Sequence, residues 1–217
     1  MAIVGISGSP IVGGNTDRMV KAILDKSGSQ STFLNLSTLK FSPCRGCAHL
    51  CATTAMCGQK DALLPYLKQI RDAHALVFAS PRHHGNMTAW MTSFFSRMWC
   101  FLHENNTLND KPAIFVSVGI RENETGRETF RASMIREHAF NVIGQYHYMS
   151  FNAPCLKCGK GDTCRHPRGG LWTLLGKEEA AMRCFKFTPD QFANWEDDAQ
   201  AVAAVERLAS LIRELHQ

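Results

Sequence analysis

The chain has 217 residues, 45% hydrophobic and 20% charged, with 24 Lys+Arg against 19 Asp+Glu for a formal net charge of +5. This composition excludes a disordered or collagen-like chain, and the length is enough to bury a core without staples. No apolar run reaches the roughly 18 residues of a membrane span, and the basic residues are spread singly, which points away from nucleic acid.

In chain order, Ala2–Ile6 is a β-branched run that predicts a first strand rather than a secretory signal, so a cytoplasmic location is expected. A glycine-rich turn follows. Met19, Val20, Ile23 and Leu24 have helical spacing and predict a helix from Thr16 to about Lys26; Thr32–Leu36 reads as a second strand. Leu63, Leu64, Leu67 and Ile70 mark a helix between Gln59 and Ala73, and His74–Ala79 is a third strand. Thr88 to about Leu102 reads as a buried helix, with Trp90, Met91, Phe94 and Met98 as core positions and Cys100 as a buried thiol. A fourth strand at Ala113–Val118, a helix over Arg127–Phe140, a fifth strand at Tyr146–Phe151 and a final helix over Asp197–Leu215 complete the series.

Strands alternating with helices predict an α/β fold: an open, doubly wound, five-stranded parallel sheet of the flavodoxin-like or Rossmann type. We read residues 1–217 as a single domain, with a core over 1–151 and a cysteine-rich C-terminal extension over 152–217 that rejoins the sheet through its last helix.

Ligands of such sheets bind beyond the carboxyl ends of the strands. The loop Ser7–Thr16 lets backbone N–H groups and the side chains of Ser9, Asn15 and Thr16 converge on an anion at a helix N-terminus. It has neither the Lys-Ser/Thr pair of an ATP-type phosphate loop nor the glycine spacing of a dinucleotide fingerprint, so a single terminal phosphate suits it best. Two further small-residue loops, Ser80–Met87 and Gly119–Glu128, can set backbone against a flat ring.

Eight of the nine cysteines fall into two groups, and Cys100 stands alone. Cys44, Cys47, Cys51 and Cys57 supply four thiols from one short loop, the donor set of a [4Fe–4S] cluster or of a tetrahedral zinc site, with free or disulfide-forming thiols as the remaining reading. Cys155, Cys158, Cys164 and Cys184 form a second set, open to a second [4Fe–4S] cluster, to zinc or to no metal. His49 and the His83-His84 pair read as surface residues first.

The run Gly-Ser-Pro-x-x-x-Gly-Asn-Thr at 8–16, Ser-Pro-x-x-x-Gly-Asn-Met at 80–87 before an aromatic-rich helix, and the third, Gly-containing loop resemble the NAD(P)H-dependent FMN reductase branch of the flavodoxin-like superfamily. The first cysteine cluster, placed between strand two and the next helix, narrows the resemblance to the iron–sulfur flavoproteins. It implies that Ser9, Asn15 and Thr16 hold the FMN phosphate. Pro81, Arg82, His83, Gly85, Asn86 and Met87 would line one side of the flavin, and Gly119 with the loop to Gly126 the other. Two features depart from the family: Ile11 stands where an arginine is common, and one extra residue separates Cys47 from Cys51.

The resemblance implies an FMN- and [4Fe–4S]-dependent oxidoreductase. A redox carrier such as ferredoxin would deliver electrons through the cluster to FMN and on to a small-molecule acceptor, in a homo-oligomer. The alternative is an NAD(P)H-dependent FMN or quinone reductase whose metal-bound cysteines are structural. A third reading is a redox sensor or a zinc-stiffened binding module that keeps the fold without turnover.

Overall fold

We describe residues 1–103, 106–119, 137–150 and 192–215 from a computed structural model of the chain. Strand β1 (Ala2–Ser7) leads through helix α1 (Asn15–Ser27) to β2 (Gln30–Asn35). The cysteine loop carries a single helical turn, α2 (Ala48–Cys51), before α3 (Leu64–Asp72) and β3 (Ala75–His83). A two-residue strand β4 (Asn86–Met87) precedes α4 (Ala89–Met98), and β5 (Pro112–Gly119), β6 (Asn141–Met149) and α5 (Ala199–Glu214) follow.

The parallel strands stand in the order β2-β1-β3-β5-β6, which is the strand order of flavodoxin-like sheets. From β1 the chain crosses first to β2 on one side and then to β3 on the other, so the direction of winding reverses between β1 and β3. Successive strand residues face opposite sides. Val4, Ile6, Leu76 and Phe78 enter one apolar layer with Leu67 and Ile70 of α3 and Met91 and Phe94 of α4. Ile3, Ala75, Val77 and Ala79 enter the other with Met19 and Ile23 of α1 and Val205 and Leu208 of α5. Burial on both faces explains why these strands read as continuous apolar runs. Phe78 stacks on Phe115 at 5.3 Å between ring centroids, within the first layer.

The structure corrects several boundaries. The sheet has six strands, not five, because β3 runs past Ala79 and turns back as a hairpin. Arg82 pairs with Met87 and His83 with Asn86, around His84 (φ 50°) and Gly85 (φ 78°). Two successive left-handed residues make the tight turn whose twist matches antiparallel strands. A two-residue strand is too short to show periodicity, which is why this segment reads as a loop. Strand β6 begins at Asn141 rather than Tyr146, its apolar pattern being broken by Gly144 and by an irregularity in the pairing with β5 opposite Ala113/Ile114. A Cβ on Gly144 would lie 2.7 Å from Leu208 Cδ2, so the glycine lets α5 close on the sheet. Helix α4 buries Met91, Phe94 and Met98 as expected, whereas Trp90 is exposed.

The final helix rejoins the core, packing on α1 and β6. The helix expected over Arg127–Phe140, Gly126 and the four cysteines Cys155, Cys158, Cys164 and Cys184 lie wholly or largely outside the described residues. Among the described residues, no helix is long and apolar enough to cross a membrane.

Candidate functional site

The loop after β1 meets the start of α4 where the winding reverses. Gly8 N–H donates to Ala79 O at 2.8 Å, and Thr88 Oγ1 donates to Gly8 O at 2.7 Å. Thr88 also caps α4 by accepting from Met91 N–H. A Cβ on Gly8 would lie 2.9 Å from both Met91 Cβ and Thr88 Oγ1, so the loop backbone is held directly against the helix.

Within the loop, Ser9 is buried and its hydroxyl accepts from Ile11 N–H at 3.1 Å, curling the chain back on itself. Helix α1 begins after Gly14 with no side-chain cap. Its first-turn N–H groups and the Thr16 hydroxyl make no side-chain hydrogen bond among the described residues. The donors an anion would use are therefore left available. Asn15 behaves differently from expectation. Its amide donates to Ala193 O at 2.9 Å, while its Oδ1 accepts from Arg18 Nη2 at 2.7 Å and from Trp195 N–H at 3.3 Å. That side chain ties α1 to the segment leading into α5.

Sequence reasoning missed Asp17, which is almost fully buried behind the loop. Its carboxylate accepts from Ser7 Oγ at 2.5 Å, from Gly13 N–H at 2.9 Å and from the Asn35 amide at 2.8 and 3.0 Å. An acidic residue in a helix's first turn was the available signal.

The hairpin supplies the second wall. Arg82 Nη2 donates to Gly85 O at 3.2 Å, and the Arg82 side chain lies across Gly119, whose added Cβ would stand 3.3 Å from it. Burial lowers the Arg82 pKa from its ordinary value. The structure thus brings Pro81, Arg82, His83, Gly85, Asn86, Met87 and Gly119 to one sheet end, where His83 and Asn86 are exposed and the others half-buried.

The cysteine loop packs on the far end of α4. Cys44 N–H donates to Ser96 Oγ at 3.0 Å, and Arg97 Nε donates to Cys57 Sγ at 3.2 Å. Cys51 and Cys57 are buried, Cys44 is exposed and Cys47 is intermediate. Burial, followed by the proximity of Cys57, Cys47 and Cys44, raises the Cys51 pKa. Among the described residues no three His, Cys, Asp or Glu side chains converge tightly enough to hold a single metal ion. Four thiols on one short loop are the donor set either of a four-iron cluster, with one thiolate at each iron, or of a single tetrahedral zinc ion. Cys100 is a buried core thiol, pushed up to about 12 by burial, and His49 is exposed.

Residues 1–153 match the family described as NADPH-dependent FMN reductase. An iron–sulfur flavoprotein of Methanocaldococcus jannaschii is 29% identical over 194 residues, covering 84% of this chain and 97% of that protein. One from Methanosarcina thermophila is 27% identical over 149 residues, covering 66% of this chain and 78% of the other. Among solved structures, a flavone reductase superposes with a TM-score of 0.57 at 17% identity, covering 100% of this chain and 65% of its own, a likeness of fold.

Proposed function

Because the chain belongs to the NADPH-dependent FMN reductase family and is a flavin-dependent oxidoreductase, we propose that it uses FMN at the β1/β3 switch point and a [4Fe–4S] cluster on Cys44, Cys47, Cys51 and Cys57. One observation carries this reading. Both candidate sites are anchored on α4, through Thr88 at its start and through Ser96 and Arg97 near its end. Arg97 lies nine positions after Thr88, about 14 Å along the axis, so one rigid element spaces the two groups.

On this reading the curled loop at Ser9 and the uncapped start of α1 bind the FMN phosphate, through Thr16 and backbone N–H groups. Asp17 stiffens that loop from behind. The Arg82 hairpin and Gly119 wall the flavin. When bound, the cluster supplies single electrons and the flavin accepts two, so the pair would connect a one-electron carrier such as ferredoxin with a small two-electron acceptor. A homo-oligomer belongs to the same proposal, and Cys155, Cys158, Cys164 and Cys184 are candidate ligands for a second cluster or for zinc.

The test is the iron, zinc and FMN content of protein purified without oxygen. About four irons and one FMN per chain support the reading, and about eight irons assign the second cysteine set to a cluster as well. FMN with zinc or without iron would overturn the cluster. It would leave direct NADPH-to-FMN transfer, the activity the family's description names, with the cysteines structural.

A further inference from the structure

Arg97 is the largest fully buried side chain among the described residues, with none of its side-chain surface exposed. Its donors reach three separate parts of the cysteine loop. Nη1 donates to Ser42 O at 2.9 Å, ahead of Cys44, and to Asp61 Oδ2 at 2.5 Å, beyond Cys57. Nη2 donates to Asp61 Oδ1 at 3.2 Å, and Nε is directed at Cys57 Sγ at 3.2 Å. Asp61 in turn accepts from the N–H groups of Ser42 and Leu63. One guanidinium therefore joins the entry of the loop, its last cysteine and its exit.

Burying an ion pair is a poor way to gain stability, because desolvation consumes most of the attraction. Nor does closing the loop need a charge on sulfur, since Ser42 and Asp61 would suffice. The third contact calls for a separate explanation. Cationic N–H donors on a ligating sulfur draw electron density from it, and hydrogen bonds to sulfur are among the levers that set cluster potentials.

Resting on the cluster reading above, we infer that Arg97 and Asp61 form an opposed pair that sets the reduction potential of the centre on the cysteine loop. Arg97 acts as a positioning residue that raises the potential through Cys57, and Asp61 offsets part of its charge. The two residues therefore act in opposite directions on potential, although both hold the same loop together.

The experiment is a redox titration of anaerobically purified wild type, Arg97→Gln and Asp61→Asn. The low-temperature electron paramagnetic resonance of the reduced cluster is the readout, and the FMN absorbance in the same sample is an internal reference. Arg97→Gln is expected to move the cluster midpoint to more negative values and Asp61→Asn to more positive ones, with the FMN midpoint unmoved. Arg97→Lys, which keeps the charge but cannot span all three contacts, should fall between wild type and Arg97→Gln. It also carries the test, with Asp61→Asn, if Arg97→Gln does not fold. Iron loss in both variants, with the remaining clusters at the wild-type midpoint, would show a structural clamp only and overturn the inference. A wild type that holds no iron–sulfur cluster would overturn the cluster reading itself and this inference with it.

Discussion

The hydroxyl of Ser7, the last residue of β1, donates a 2.5 Å hydrogen bond to the buried carboxylate of Asp17 in the first turn of α1. Asn35, at the end of β2, and Gly13, in the loop, donate to the same carboxylate. One side chain thus fixes two strand ends and the intervening loop. Replacing Asp17 by Ala leaves two buried donors without a partner, and we expect a loss of about 2–4 kcal/mol. Urea denaturation should show a lower midpoint at unchanged slope, and FMN should bind more weakly. Lys26→Ala, which removes an exposed ion pair with Glu206, should leave the midpoint near wild type.

Gly8 and Gly28 separate two uses of glycine. A methyl group on Gly8 would meet Met91 and Thr88 at 2.9 Å, whereas Gly28 has no atom within 4 Å of its added Cβ but sits at φ +66°. Gly8→Ala is therefore expected to push the loop off α4 and weaken FMN binding at least about ten-fold, which corresponds to about 1.4 kcal/mol. Gly28→Ala should lower stability by about 1–2 kcal/mol and leave FMN affinity unchanged. Calorimetric titration with FMN and thermal melts distinguish the two.

Arg18 links the same loop to the C-terminal part of the chain. It donates to Gly13 O, Asn15 Oδ1 and Asn194 Oδ1, and pairs with Glu196 at 2.6 Å. Hydrogen bonding to Glu196 raises the Arg18 pKa, while Arg18 holds the Glu196 carboxyl below its ordinary value. Since Arg18 and Asn15 touch each other and share the 193–196 segment, Arg18→Ala and Asn15→Ala should not be additive. A double-mutant cycle in urea is expected to give a coupling of about 0.5–2 kcal/mol, and additive losses would contradict the shared network.

His138 gives the fold a pH dependence. Burial lowers its pKa from 6.5 to about 4. Between those values the unfolded chain takes up a proton that the folded one refuses, so stability is full above pH 6.5, falls as pH drops through this window and levels below about 4. The shift sets an upper bound of about 3 kcal/mol for this single group. His138→Gln should flatten the difference in unfolding free energy between pH 6.5 and 4. An unchanged slope would show that His138 does not carry it.

How far the site could be read before the fold was known depended on the range of each interaction. The Gly-Ser-Pro and Ser-Pro segments and the four-cysteine loop are local patterns, and the structure sets the first two at one sheet end as their positions after strands predict. Asn15 is the counterexample. A polar residue at a helix start reads as an anion donor, yet its side chain is bonded to Ala193, 178 positions away.

The alternation of strands and helices, the parallel sheet and the grouping of Cys44, Cys47, Cys51 and Cys57 are legible in the chain alone, because periodicity and spacing are properties of contiguous residues. Which charges are buried, and on what, follows only from packing. Arg97 looks like one cation in an aromatic helix until packing brings Ser42, Cys57 and Asp61 to it. Asp17 looks like an ordinary first-turn acid until two strand ends close over it. A buried charge is held by partners from separate segments, and only the packed fold can bring those segments together.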